Sequence, residues 1–229
     1  MSVSQLNEAR YGRACFLVLN TCPVTLRRVI DHYCSTTGFN DLEGLLNHVR
    51  NKHDLFHLSF GQCCCGHTSR NKPLRKQQWE LLYRKTYSSN PHGQQGQCYC
   101  MYSAIPGVTS DVMDVTLCCL VIRNICRGIN NADIDAISSV RNQLIHASSA
   151  TLEDTAYNYL WKKVETAVIS LAKKADSVIE MDTKRAVQEM KDRIMNPVDL
   201  CSLKDLISDQ KCMDELRQVL ATMFLNYLC

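Results

Sequence analysis

The chain lacks a strong charge of either sign. Its 26 Lys and Arg stand against 23 Asp and Glu, for a formal net charge of +3. That balance permits nucleic-acid binding without arguing for it. A long apolar run is also missing. The most apolar stretch, 112–126, contains Asp114 and Arg123 and is too short to span a bilayer. Residues 1–10 are polar with no apolar core, so no signal peptide is expected and a cytoplasmic location is. There is no internal repeat and no low-complexity tract. No G-x4-G-K-[ST] loop occurs, which excludes that kind of nucleotide hydrolysis.

What is present is an ordinary globular composition over 229 residues, 45% hydrophobic and 21% charged. The length suits one good-sized domain, or one domain with an appendage. Fourteen cysteines are the unusual feature. In a reducing compartment they are not a disulfide framework. Most are expected to be buried as small hydrophobes. Those crowded into polar loops point to metal instead.

Apolar spacing predicts helices along most of the chain. The first covers about 5–19 and is broken at Thr21, Cys22 and Pro23. Thr21 caps a second, with Pro23 in its first turn and Leu26, Val29, Ile30 and Tyr33 on one side. Asn40 with Glu43 reads as a capping box opening a third helix through Leu42, Leu45, Leu46 and Val49. Phe56, Leu58 and Phe60 alternate like a short strand. Pro73 starts a helix through Trp79, Leu82 and Tyr83. Thr109 or Ser110 caps a central apolar helix that runs to Gly128. A helix carrying Arg141 follows the loop at Asn130 and Asn131. Thr151 with Asp154 caps the next, striped by Leu152, Ala156, Leu160, Val164, Ala167, Val168 and Leu171. The sequence is more charged from Lys173 onward, and the division drawn is 1–175 for a helical domain and 176–229 for a C-terminal helical extension.

Two constellations carry chemistry. Cys63, Cys65, Cys98 and Cys100 form two C-x-C pairs in polar loops about thirty residues apart. Thiolates on loops can supply two ligands from each side of a tetrahedral zinc, and an all-cysteine site is structural because it leaves no open position. Adjacent reduced thiols with no metal are the alternative. Cys64 and His67 are further candidate ligands, while His48, His53 and His57 read as ordinary surface or loop residues. The second constellation is Arg141, Asn142 and His146. Arginine grips phosphate oxygens, and histidine exchanges protons near neutral pH. On one continuous helix Arg141 and His146 point roughly 140° apart. Either the helix ends between them, or a second copy of the chain completes the site.

Several features in order resemble the HEPN domain of DAZ-interacting zinc-finger ubiquitin ligases and their relatives, over about residues 6–172. They are Leu26-Arg27 after Thr21, the Cys-rich loop followed by Gln78-Trp79-Glu80-Leu81-Leu82-Tyr83, and Cys98-Tyr99-Cys100. Asp114-Val115-Thr116-Leu117, Asn124, the Arg141-Asn142 to His146 signature, and Trp161 complete the set. The resemblance implies an all-α, HEPN-like helical bundle with a Cys-rich loop insertion and a C-terminal helical extension. It also implies RNA as a partner and a homodimer that places two signatures across one cleft. No RING, ankyrin or nucleotidase motif is present, so ligase activity does not carry over.

Two readings of function stay open. One is a metal-independent endoribonuclease that leaves 2′,3′-cyclic phosphate ends and needs no cofactor for catalysis. His146 is then general acid or base, Arg141 stabilises the phosphorane charge, and Asn142 orients His146. The other is a non-catalytic helical interaction or scaffold module in innate immune or RNA-related signalling. In that reading a protein partner can dock on the C-terminal extension.

Overall fold

Ser2 opens the first helix of the computed structural model. Its hydroxyl accepts from the Gln5 N–H while the Gln5 side chain returns to the Ser2 N–H, so two orphan donors are satisfied at once. The structure describes residues 2–60, 63, 65–66, 72–88, 90–92, 97–196, 199, 202–203 and 207–208.

Helix α1, Val3–Phe16, does not break at Thr21 as the sequence predicted. It passes through one π-helical turn, Leu17–Thr21, into α2, Cys22–Thr36. Thr21 has helical backbone angles and makes no side-chain cap. The reason lies in Pro23, which has no N–H to donate and whose ring would press on the carbonyl four residues back. Widening the turn accommodates it: the Cys22 N–H reaches Leu17 O, five residues back.

Helix α3, Leu42–Asn47, is capped by Asp41, whose carboxylate accepts from the Gly44 N–H at 2.7 Å. Asn40 is therefore not the cap, and the Glu43 carboxylate accepts from the Gly107 N–H instead. The chain turns at His48 and continues as α4, Val49–Phe60. The strand expected at Phe56, Leu58 and Phe60 is thus the end of a helix, and Val49 is exposed rather than part of the core.

Helix α5, Lys76–Leu82, starts three residues after Pro73. It runs directly into β1, Tyr83–Lys85, which pairs antiparallel with β2, Tyr102–Ala104, in the register Tyr83↔Ala104. This hairpin is the only sheet among the described residues. An aromatic cluster fixes it to α4. Phe56 stacks on Phe60, Trp79 stacks on Tyr83 with centroids 4.0 Å apart, and the Phe56 and Trp79 rings meet edge to face. Such pairs add roughly 0.5–1.5 kcal/mol beyond burial. Tyr83 donates its hydroxyl to Leu46 O at 2.9 Å.

Helix α6, Val115–Ile125, is capped by Asp114 rather than by Thr109 or Ser110, which lead into a separate 3-10 turn, Ser110–Val112. As predicted, it is the central buried helix. Leu117, Val121 and Ile122 are fully buried, each worth about 1.5–3 kcal/mol. That outweighs the few tenths of a kcal/mol per β-branched residue that helix propensity costs, roughly. Helix α6 packs against α2, α4 and α7, Asn131–Ile145. Helix α8, Asp154–Ala175, covers α7 and α2, starting at Glu153 with no side-chain cap, and Thr151 bonds to Ser149 instead.

Helix α9, Ser177–Asp192, begins the C-terminal extension and lies against α8 and α2. Its Thr183 and Thr25 share a buried hydroxyl hydrogen bond of 3.1 Å, and Arg28 pairs with Asp182. The architecture is all-α with one small hairpin. No helix among the described residues is long and apolar enough to cross a membrane.

Candidate functional sites

Arg141 lies in the last turn and a half of α7, and His146 is the C-cap of that helix. The helix therefore includes Arg141 and ends immediately before His146. Arg141 is 5% exposed, whereas Asn142 and His146 are exposed. The Arg141 Nη1 donates to Asn142 Oδ1 at 3.1 Å, and the His146 N–H donates to Asn142 O at 3.0 Å. Asn142 is thus the link between the other two. Across this helix end, Tyr11 of α1 donates its hydroxyl to Leu144 O. The arrangement turns a guanidinium inward and a histidine outward.

The cysteine pairs form a different kind of site. Helix α4 presents His53 and His57, four residues apart and so on one helical face. Their Nε2 atoms are 3.2 Å apart, and each approaches Cys65 Sγ, at 3.2 and 3.3 Å. These three form one group able to hold a metal ion. His92, Cys98 and Cys100 form a second such group, with His92 Nε2 3.2 Å from Cys100 Sγ. Cys63 stands beside it, its Sγ 3.9 Å from Cys98 Sγ. Cys65 therefore sits with two histidines, and Cys98 and Cys100 with a third. Cys64 and His67 lie outside the described residues.

The aromatic cluster sets this geometry. Phe56 anchors α4 between the two histidines, and Tyr99 meets the His53 ring edge to face at 5.1 Å. Tyr99 begins a 3-10 turn that Cys98 opens, its Sγ accepting from the Cys100 N–H at 3.4 Å. Burial alone would push the Cys63 thiol up. Hydrogen bonds from the backbones of Cys65 and Tyr99 and from the thiols of Cys65 and Cys98 outweigh it, so its pKa is lowered. Burial, reinforced by the thiol of Cys100, pushes the Tyr99 hydroxyl up to about 12. A thiol with a lowered pKa, beside imidazoles and further sulfurs, is a donor set for a borderline-soft cation.

His53 and His57 therefore stand on a helix rather than in a loop, in a group with Cys65 that could hold a metal ion. Alternation at Phe56, Leu58 and Phe60 points to a strand, and His-x3-His aligns its rings on one side only in a helix. His92 carried no signal in the sequence, since it is brought to Cys100 by the fold of its loop. His48, by contrast, caps α3 and packs edge-on against Phe39. No family model, curated protein or solved structure matches the chain.

Proposed function

We propose that the chain is a non-catalytic helical interaction module of HEPN type, braced by structural zinc in its insertion. One observation carries the first half: Arg141 is 5% exposed and donates to its own neighbour Asn142. An arginine that stabilises a phosphorane must present donors where the charge develops, and this one is turned into the bundle. Zinc is the metal that suits thiolate and imidazole ligands together. None of the ten described cysteines is in a disulfide, in keeping with a reducing, cytoplasmic location.

A second reading is favoured by Asn142 and His146, exposed and one helical turn apart. This is the metal-independent endoribonuclease, in which a homodimer brings a second chain's groups to His146. RNA is then the partner. In the first reading the C-terminal extension is the place for a protein partner.

Cleavage decides between them. Full-length, zinc-loaded protein is incubated with mixed-sequence RNA and no other divalent cation, avoiding a chelator that would strip the insertion. Intact RNA is expected. Fragments with 2′,3′-cyclic phosphate ends, produced by the wild type and not by His146→Ala, would replace the module reading with the nuclease.

A further inference from the structure

We propose that the chain holds two zinc ions side by side. One is bound by His53, His57 and Cys65, and the other by His92, Cys98 and Cys100 with Cys63 as its remaining ligand. The inference rests on the zinc reading above and adds the number of ions, the division of ligands and what each ion joins.

The distances are those of ligand atoms around a common cation. With Zn–N near 2.0–2.1 Å and Zn–S near 2.3 Å in a tetrahedron, ligand atoms stand about 3.3 Å apart for N and N, about 3.5 Å for N and S, and about 3.8 Å for S and S. The observed separations are 3.2 Å between the two imidazole nitrogens and 3.2 and 3.3 Å from these to Cys65. In the second group they are 3.2 Å from His92 to Cys100 and 3.9 Å from Cys63 to Cys98.

Hydrogen bonding is the competing explanation, and it accounts poorly for the first group. His53 Nε2, His57 Nε2 and Cys65 Sγ form a closed triangle. Each nitrogen carries either one proton or one lone pair, so protons can serve two edges at most and the third short edge has no hydrogen along it. A cation at the centre faces all three. In the second group the Cys100 N–H already donates to Cys98 Sγ, the kind of outer hydrogen bond that orients a metal ligand.

Ligand number argues for two ions. A structural zinc takes four ligands. Three histidines and four cysteines exceed one ion's set. Six of them fall into two groups of three that share no member. Cys63, bonded to the thiols of both Cys65 and Cys98, joins the second through its 3.9 Å separation from Cys98, so the first ion has three named protein ligands. The division also has a mechanical meaning. The first ion ties α4 to the loop at Cys65. The second ties the loop at Cys63 to the turn that leads into β2. Cys63 and Cys65 flank a single residue, so the two ions brace one loop from both sides. They fasten that loop to α4 on one side and to the hairpin on the other.

Elemental analysis of the full chain, purified without chelator, is expected to give about two zinc per chain. His53→Ala with His57→Ala should leave one, and so should Cys98→Ser with Cys100→Ser. Cobalt titration of the unaltered protein gives the same count without depending on any variant folding. It should reach two tetrahedral cobalt ions per chain. The histidine variant should keep the cobalt with three thiolates and the stronger sulfur charge-transfer band. The cysteine variant should keep the cobalt with one. A single ion per chain that either pair of substitutions removes would overturn the two-ion division and leave the zinc reading standing. An unaltered protein that takes up neither zinc nor cobalt would overturn both.

Discussion

Cys22 and Cys65 carry the same thiol in opposite surroundings. Cys22 is fully buried in the first turn of α2, and burial pushes its pKa far up. Cys65 is exposed, with two imidazole nitrogens against its sulfur. The bundle holds Cys15, Cys118, Cys119 and Cys126 in the manner of Cys22, as small hydrophobes whose ionisation is suppressed. The insertion holds Cys63 with its pKa lowered. The bundle is stabilised by apolar burial. The described Cys and His side chains of the insertion instead meet one another in two groups that could hold a metal ion.

The sharpest way to break that comparison is thiol reactivity, because the effect is all-or-none. A small thiol reagent applied to native, metal-loaded protein should find few reactive cysteines. Adding a chelator should release those of the insertion, Cys63, Cys65, Cys98 and Cys100, while the bundle thiols stay silent until denaturation. Release of Cys22 or Cys118 by chelator alone would mean that the two regions do not differ as described.

A core truncation should act on the other side of the comparison. Leu26 is fully buried in α2, and Leu26→Ala should cost about 2–5 kcal/mol in denaturant unfolding. Metal content of the folded protein should not change. Loss of metal in a variant that still folds would show that the insertion depends on the bundle more closely than the packing implies.

The two regions should also respond to pH with opposite sign. Burial raises Cys15 and Cys126 to about 12 and Cys119 to about 11, from an ordinary 9.0. The folded chain keeps protons that an unfolded chain gives up near 9. Their contribution is complete below that value and is lost as pH climbs toward 11–12. Cys63 has its folded pKa lowered, so its contribution is present above the ordinary thiol value and is lost as pH falls through the folded one. Thermal unfolding should fall off above about pH 9 with the metal retained. Mild acid should release the metal first. Parallel loss of both signals at one end of the scale would contradict this.

The same contrast explains what could be read from the sequence. The central helix with Leu117, Val121 and Ile122 was legible because its apolar positions recur over a long span, and so was the stripe on α8 from Leu160 to Leu171, although Leu152 precedes that helix and Ala156 is exposed, with Tyr157 and Trp161 buried in addition. The break at Pro23 was misread. A missing N–H predicts disruption, while the π turn that absorbs it leaves no mark in residue spacing. The hairpin was missed because three-residue strands such as Tyr83–Lys85 are too short to show alternation. At the metal groups, Cys63, Cys65, Cys98 and Cys100 announced themselves by C-x-C spacing. His53 and His57 required the right secondary structure before their spacing meant anything. His92 required the tertiary fold.

The smallest expected effect is at the end of α7, where two residues of one signature should separate. Arg141 is buried with its Nη1 on Asn142. Arg141→Ala removes that hydrogen bond and a long packed stem, and should cost about 1–3 kcal/mol. His146 is exposed at the C-cap, where a side-chain contact made at the surface contributes less than a buried one, about 0.5–1 kcal/mol. His146→Ala should therefore unfold closer to the wild type than Arg141→Ala does, and its backbone bond to Asn142 O survives the change. Equal and large losses for both variants would mean that His146 is structural and would count against the nuclease reading. A neutral His146→Ala beside a costly Arg141→Ala leaves the histidine available for a partner and identifies the arginine as part of the bundle.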